Sequence, residues 1–409
     1  MSLDFVDLFE SLAEHGNAPE DGCSLFGVGY DSEFQQLESK YLVERFARGG
    51  SAEKFVIGPF GSGKTHFLRQ LMETGRNRNC VTAEIKLNKN LDYSQGLVVY
   101  QEIARQVRAP GTENHGLQSL LLEALRRITE KAEAAGLPAD GILDGWIAAL
   151  DDQDLPLSSF TRVLKRGIQD HLTGEVEGFQ AAMRWLSGEV TDRPLSRSLG
   201  ESPVSTSELR IHAHHARLCL YKFIRYAGFA GTIVGFDEAE QGIDVEKKKK
   251  TKIFSQLLAE INSIIDLKGG SALIVYAITP DIMTKINAEM PMLAQRLADP
   301  GENRGFFDGN VLAPRIDLTR RPDPVDELTR IGARLVELFF EKVADADRTR
   351  SAEALGAVRP IAEEVERQEQ SSSSRRDMVR RTCTLLVTEY RSGSPSASID
   401  SGRHREAEV

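Results

Sequence analysis

Residues 58–68 read GPFGSGKTHFL, and the reading of the whole chain turns on them. Gly58, Gly63, Lys64 and Thr65 fit the pattern G-x-x-x-x-G-K-[ST], with Gly61 and Ser62 inside the loop. The spacing has a chemical reason. Small residues let backbone N–H groups turn inward around a chain of phosphates, the lysine reaches the terminal phosphate oxygens, and the threonine hydroxyl is a ligand for Mg²⁺. Working outward, KFVIG before the loop reads as a short strand, and THFLRQLMETG after it reads as a helix that its glycine stops. Strand, loop and helix form the setting the pattern requires. Gly58, Pro59, Phe60, Gly61, Ser62, Gly63, Lys64, Thr65 and His66 are therefore the expected nucleotide-binding residues.

Such a loop needs an acid beside it. TIVGFDEAE (232–240) is an apolar strand that ends in Asp237 and Glu238. Adjacent carboxylates at a strand end also suit a helix N-cap. With the glycine loop upstream, Asp237 is read as holding Mg²⁺, and Glu238 as orienting and deprotonating the attacking water. A glutamate beside the aspartate is typical of hydrolytic ATPases. NKNL (88–91) has leucine where the guanine-reading NKxD pattern has aspartate, so ATP is the expected nucleotide.

Three further groups of residues bear on catalysis. SALIVYAITPD (271–281) is another apolar strand, and Thr279 at its end fits the place from which a polar residue senses the γ-phosphate; it equally fits a cap for the next helix. Arg296, Arg304 and Arg315 are candidates for an arginine finger, and each also reads as an ordinary surface or ion-paired arginine. In RRDMVRR (375–381), Arg376 and Arg380 share one helical face near a helix start, where a lid arginine reaches a nucleotide.

Composition narrows the setting. The 409 residues suffice for two or three domains, and a net charge of −10 excludes a chain coated in positive charge for wrapping nucleic acid, though not a local basic patch. No stretch reaches the length of apolar sequence needed to cross a membrane, and the N-terminus is acidic and amphipathic rather than signal-like. Cys23, Cys80, Cys219 and Cys383 are scattered with no CxxC pair, which points to reduced thiols in a cytoplasmic protein. HAHH (212–215) lacks partners at ligand spacing and is not read as a metal site. KKKK (247–250) reads either as a solvated loop or as a basic loop that touches a nucleic-acid backbone or a partner.

Along the chain, residues 1–30 read as a leader with one short helix, and 31–320 as the core. Within the core, 32–48 is a helix closed by GG, 80–87 is a strand, 112–229 is an almost wholly helical insertion, and the Pro/Ser-rich stretch 190–207 is a loop. Residues 321–391 read as a helical lid, and 392–409 as a disordered tail. Strands parted by helices, with continuous apolar runs, predict a mostly parallel sheet covered on both faces.

In this order the pieces resemble the ATP-binding proteins of BREX anti-phage gene clusters, the BrxD-like family. The resemblance rests on GVGYDSEFQQLESKYLVERFARGGSAEKFVIGPFGSGKTHFL, IKLNKNLDYSQGLVVYQEIARQV and LYKFIRYAGFAGTIVGFDEAEQ, and extends to SSRRDMVRRTCTLL, so that it covers most of 25–390. It implies an α/β fold of the P-loop NTPase, AAA-like kind: a parallel-sheet core with a large helical insertion and a C-terminal helical lid. The implied cofactors are ATP and Mg²⁺. Other phage-defence proteins, double-stranded DNA and further copies of the chain are the implied partners. The competing expectation is a switch, in which ATP stabilises a docking conformation and turns over slowly.

Overall fold

The computed structural model describes residues 4–87, 91–239, 247–298, 305–306, 310–319, 323–368 and 373–391. Arg304, the 392–409 tail and residues 88–90 of NKNL lie outside them. The chain forms two compact units, one of residues 18–322 and one that joins 1–17 to 323–409.

The larger unit is an α/β fold around five strands: β1 (Ala52–Ile57), β2 (Cys80–Lys86), β3 (Gly231–Asp237), β4 (Ala272–Ile278) and β5 (Arg315–Asp317). Their order is β2-β3-β4-β1-β5, and every pairing is parallel. β3 and β4 are buried at every residue, which is why they read as unbroken apolar runs. On one face, Phe55, Tyr276 and Phe236 stack across β1, β4 and β3, with ring centroids 5.1 and 4.9 Å apart. Helices Gly96–Gln106, Leu209–Tyr226 and Lys247–Asp266, together with the helical insertion, complete the core on that side. The opposite face carries Val56, Ile233 and Val275 against the helices Asp31–Leu37 and Lys64–Asn77.

Three local readings need correction, and one strand has no counterpart in the sequence reading. Gly75 does not stop the helix after the glycine loop, which runs from Lys64 to Asn77. A Cβ at Gly75 would lie 2.3 Å from Ile233 Cδ1, and one at Gly235 would lie 2.4 Å from Met72 Cε, so these glycines let helix and strand approach closely. Within the expected loop 190–207, a short helix Arg193–Ser198 starts where Asp192 accepts a bond from Leu195 N at 2.9 Å. The backbone of 247–250 opens the Lys247–Asp266 helix rather than a loop. β5, only three residues long, is too short to show a period and holds Arg315 at the sheet edge.

The smaller unit is helical: Phe5–His15, Pro324–Lys342, Ser351–Gln368 and Ser374–Glu389. Gly332 brings its helices together, since a Cβ there would meet Met378 Cε at 2.4 Å and Val358 Cγ1 at 2.6 Å. The first helix, expected to belong to a leader, packs here: Phe9 meets Phe339 edge to face at 5.1 Å, and Arg391 pairs with Glu10. The other half of that leader, from Ala18 onward, belongs to the α/β unit.

Candidate functional site

Parallel pairing puts the carboxyl ends of all strands on one edge of the sheet. The register aligns Ile57 with Ile278 and with Asp317, and Lys86 with Asp237. The ladder continues past the strands: Gly58 N donates to Ile278 O at 3.1 Å, and Leu87 N to Asp237 O at 2.9 Å. The glycine loop, Asp237, Glu238 and Thr279 thus leave the sheet at the same edge. In open parallel sheets that edge is where ligands bind.

The loop is shaped by its glycines. Gly61 and Gly63 have φ of +77° and +90°, in the left-handed region that side chains resist. A Cβ on Gly58 would lie 2.2 Å from Ser62 Oγ. Lys64 opens the helix and is 7% exposed; its ammonium donates to Gly58 O at 2.8 Å and Pro59 O at 3.0 Å. These two carbonyls curl the loop around the lysine head. Phe60 stands at the rim, 62% exposed, with the Lys64 ammonium 5.4 Å from its ring centre. His66 turns instead into the protein, against Phe26, with ring centroids 4.9 Å apart.

Thr65 and Asp237 are 172 residues apart in sequence, yet the Thr65 hydroxyl donates to Asp237 Oδ2 at 2.7 Å. The other carboxylate oxygen accepts from Glu238 N at 2.9 Å, and Asp237 is 2% exposed. Glu238 has φ of +53°, uncommon for a residue with a side chain, so the backbone turns sharply at the end of β3. A hydroxyl and a buried carboxylate oxygen facing each other form a donor set of the kind hard cations take. Thr279 is buried and occupies the N-cap of the helix Pro280–Glu289, but its side chain makes no capping bond. β4, which Thr279 follows, lies between β1 and β3. Arg296 ends a short helix, Pro291–Arg296. Arg376 belongs to the other unit; it is exposed on the helix Ser374–Glu389, where its backbone and Cγ close on Gly16. Its neighbour Arg375 is buried and bonds Glu327 at 2.8 Å.

Sequence reasoning missed what steadies the loop helix. Glu73 accepts from Cys23 N and Ser24 N, each at 2.8 Å, and Arg69 makes a two-pronged pair with Glu84 of β2, both bonds 2.8 Å. The stretch after Ala18 is thereby fastened along the helix that supplies Lys64 and Thr65. A Gly/Asp/Pro-rich stretch has no periodicity to announce this. All four cysteines are free and buried, and burial pushes the Cys80 thiol up to about 12. Among the described residues no three His, Cys, Asp or Glu side chains gather as a metal site. Burial, with the charges of Arg217 and His215, pushes His214 down to about 4.

A second polar centre lies inside the α/β unit. Glu260 accepts from Arg217 at 2.8 Å, Gln256 at 3.0 Å, Tyr276 at 3.0 Å and Tyr93 at 2.5 Å. Burial alone would raise its carboxyl; Arg217 and the hydrogen bonds outweigh that and hold it below the usual glutamate range. In sequence Glu260 is one more acid on an amphipathic helix, so nothing there marks it.

The family model of the BREX system ATP-binding protein BrxC/D matches residues 4–392, and the chain belongs to that family. No curated protein and no solved structure matches the chain.

Proposed function

We propose that this chain is an AAA-like P-loop ATPase that binds and hydrolyses Mg²⁺–ATP in BREX phage defence, together with other components of that system and DNA. The observation that carries this reading is the Thr65–Asp237 contact at 2.7 Å, which joins the lysine loop to the acid strand. The sheet order, with β4 between β1 and β3, supports the AAA-like assignment. The family's name as ATP-binding supports the nucleotide.

Each residue then has a stated task. Lys64 exchanges the Gly58 and Pro59 carbonyls for the β- and γ-phosphate oxygens. The glycine-loop N–H groups bind the phosphates with Phe60 at the rim, while His66, its ring turned in against Phe26, belongs to the loop through its backbone. Thr65 and Asp237 would hold Mg²⁺, which when bound neutralises charge developing on the phosphates. The Glu238 carboxylate orients a water and takes its proton as the water oxygen bonds the γ-phosphorus and the bond to the β-phosphate oxygen breaks. Thr279 senses the γ-phosphate from the end of β4. Arg376 is the candidate lid arginine, residues 321–391 the candidate lid, and Arg296, Arg304 and Arg315 the finger candidates for a neighbouring copy. Among the described residues no helix is long and apolar enough to cross a membrane, and we assign the protein to the cytoplasm.

The test is ATP hydrolysis by wild type and Glu238→Gln, with and without double-stranded DNA, while light scattering follows assembly. Glu238→Gln should keep ATP binding and lose about 10²–10⁴-fold in turnover. Tight binding with no turnover in the wild type would replace hydrolysis by the docking switch.

A further inference from the structure

A cleft of about 500 Å³ opens on the α/β unit, lined by Ser94, Arg210, Thr251, Lys252, Ser255 and Gln256. Its place follows from topology. Ser94 precedes the helix after β2, and Thr251, Lys252 and Ser255 lie in the first turns of the helix that follows β3. Both helices follow carboxyl ends of strands, so the cleft opens along the sheet edge from which the glycine loop departs.

Its chemistry is one-sided. Among the described residues the lining holds a guanidinium, an ammonium, three hydroxyls and an amide, and no carboxylate. Every one of these groups can donate a hydrogen bond. Ser94 Oγ already donates to Asp92 at 2.7 Å and Gln256 to Glu260 at 3.0 Å, so Arg210, Lys252 and Ser255 carry the contact to a ligand. Arg210 and Lys252 are exposed and form no hydrogen bond or ion pair among the described residues. On a chain of net charge −10, where most arginines of the α/β unit have carboxylate partners, two unpaired cations facing one cleft are an exception. The four residues before Thr251 in the same helix are all lysine. The floor is fixed from within, because Gln256 donates to the buried Glu260.

We propose that this cleft binds the phosphodiester backbone of double-stranded DNA. Phosphate oxygens accept and never donate, which matches a lining of donors, and neutralising phosphates with Arg and Lys releases counterions. The contact is to backbone, so it carries affinity without sequence preference. The inference rests on the DNA-acting reading above and gives it a place.

The experiment is fluorescence anisotropy of a short labelled duplex with the full chain over a series of salt concentrations, for wild type, Arg210→Ala/Lys252→Ala and Ser255→Asp. Expected are salt-sensitive wild-type binding, at least about a tenfold loss in the double variant, and a log–log salt slope shallower by about 2. Ser255→Asp should weaken binding with both cations intact. Unchanged melting temperature and unchanged ATP binding in the variants show that the fold and the glycine loop are intact. If wild type binds the duplex and both variants match it in affinity and slope, the cleft assignment fails alone. If wild type fails to bind the duplex with or without ATP, the DNA reading fails with it. Inorganic tripolyphosphate is titrated into Lys64→Ala, which silences the loop. Tripolyphosphate held more tightly than the duplex, and lost with Arg210 and Lys252, would overturn the proposal in favour of a free polyphosphate, and selective capture of a polyacidic peptide in favour of a protein.

Discussion

Asp237 and Glu260 are both buried carboxylates of the α/β unit, and they are held in opposite ways. Glu260 receives four side-chain donors, one of them the guanidinium of Arg217. Asp237 receives one hydroxyl and the N–H of the next residue. A carboxylate saturated by fixed donors has nothing left to exchange; one held by a hydroxyl and a single amide can take up a cation without dismantling its neighbours. Burial alone therefore does not separate a proposed cation ligand from a structural acid. The number and kind of donors does.

The contrast can be broken experimentally, and the largest effect belongs to Glu260. Glu260→Gln leaves Arg217 buried without its counter-charge and should cost about 3–5 kcal/mol, read from urea unfolding. A loss under about 1 kcal/mol would mean that water already shares the Arg217 charge. Tyr93→Phe and Tyr276→Phe each remove one hydrogen bond to the charged carboxylate, and each should cost about 1.5–3 kcal/mol. Asp237→Asn should behave otherwise: about 1 kcal/mol or less in stability, but about 10–100-fold in Mg²⁺-dependent ATP hydrolysis. Equal stability losses at Asp237 and Glu260 would erase the distinction drawn between them.

A third carboxylate sharpens it further. Glu53 on β1 has a buried oxygen with no partner among the described residues, and burial, opposed in part by Arg45, pushes its carboxyl from 4.5 up to about 8. Between those two values the folded chain holds a proton that the unfolded chain has released, so this group makes stability fall as pH rises through the window. Glu53→Gln should flatten the decline in urea midpoint between about pH 5 and pH 8. A variant with the wild-type slope would remove Glu53 from the account.

These cases also show what can be read from sequence. The apolar runs at 231–237 and 272–278 are central parallel strands, and such strands carry their burial in every residue. The glycine loop is legible because its backbone demands particular residue types at fixed spacing, as at Gly61 and Gly63. β5 was hidden by its length of three residues. The Glu260 centre was hidden for a different reason: its donors come from residues 93, 217, 256 and 276, and no local pattern connects them. Gly75 misled because the residue that ends helices is also the one that lets a helix lie close to a sheet.

That scatter of donors bears on how the chain reaches its fold. Tyr93 and Tyr276 meet Glu260 from positions 183 residues apart, and Arg217 arrives on the last helix of the insertion. Closing loops of that length costs chain entropy before any contact rewards it, and the cluster is complete only with the insertion's last helix in place. The helices between β2 and β3 are then no detachable appendage. A shortened chain that joined the two strands directly would strip Glu260 of Arg217 and Tyr93, leaving a buried carboxylate with no counter-charge and only Gln256 and Tyr276 as donors.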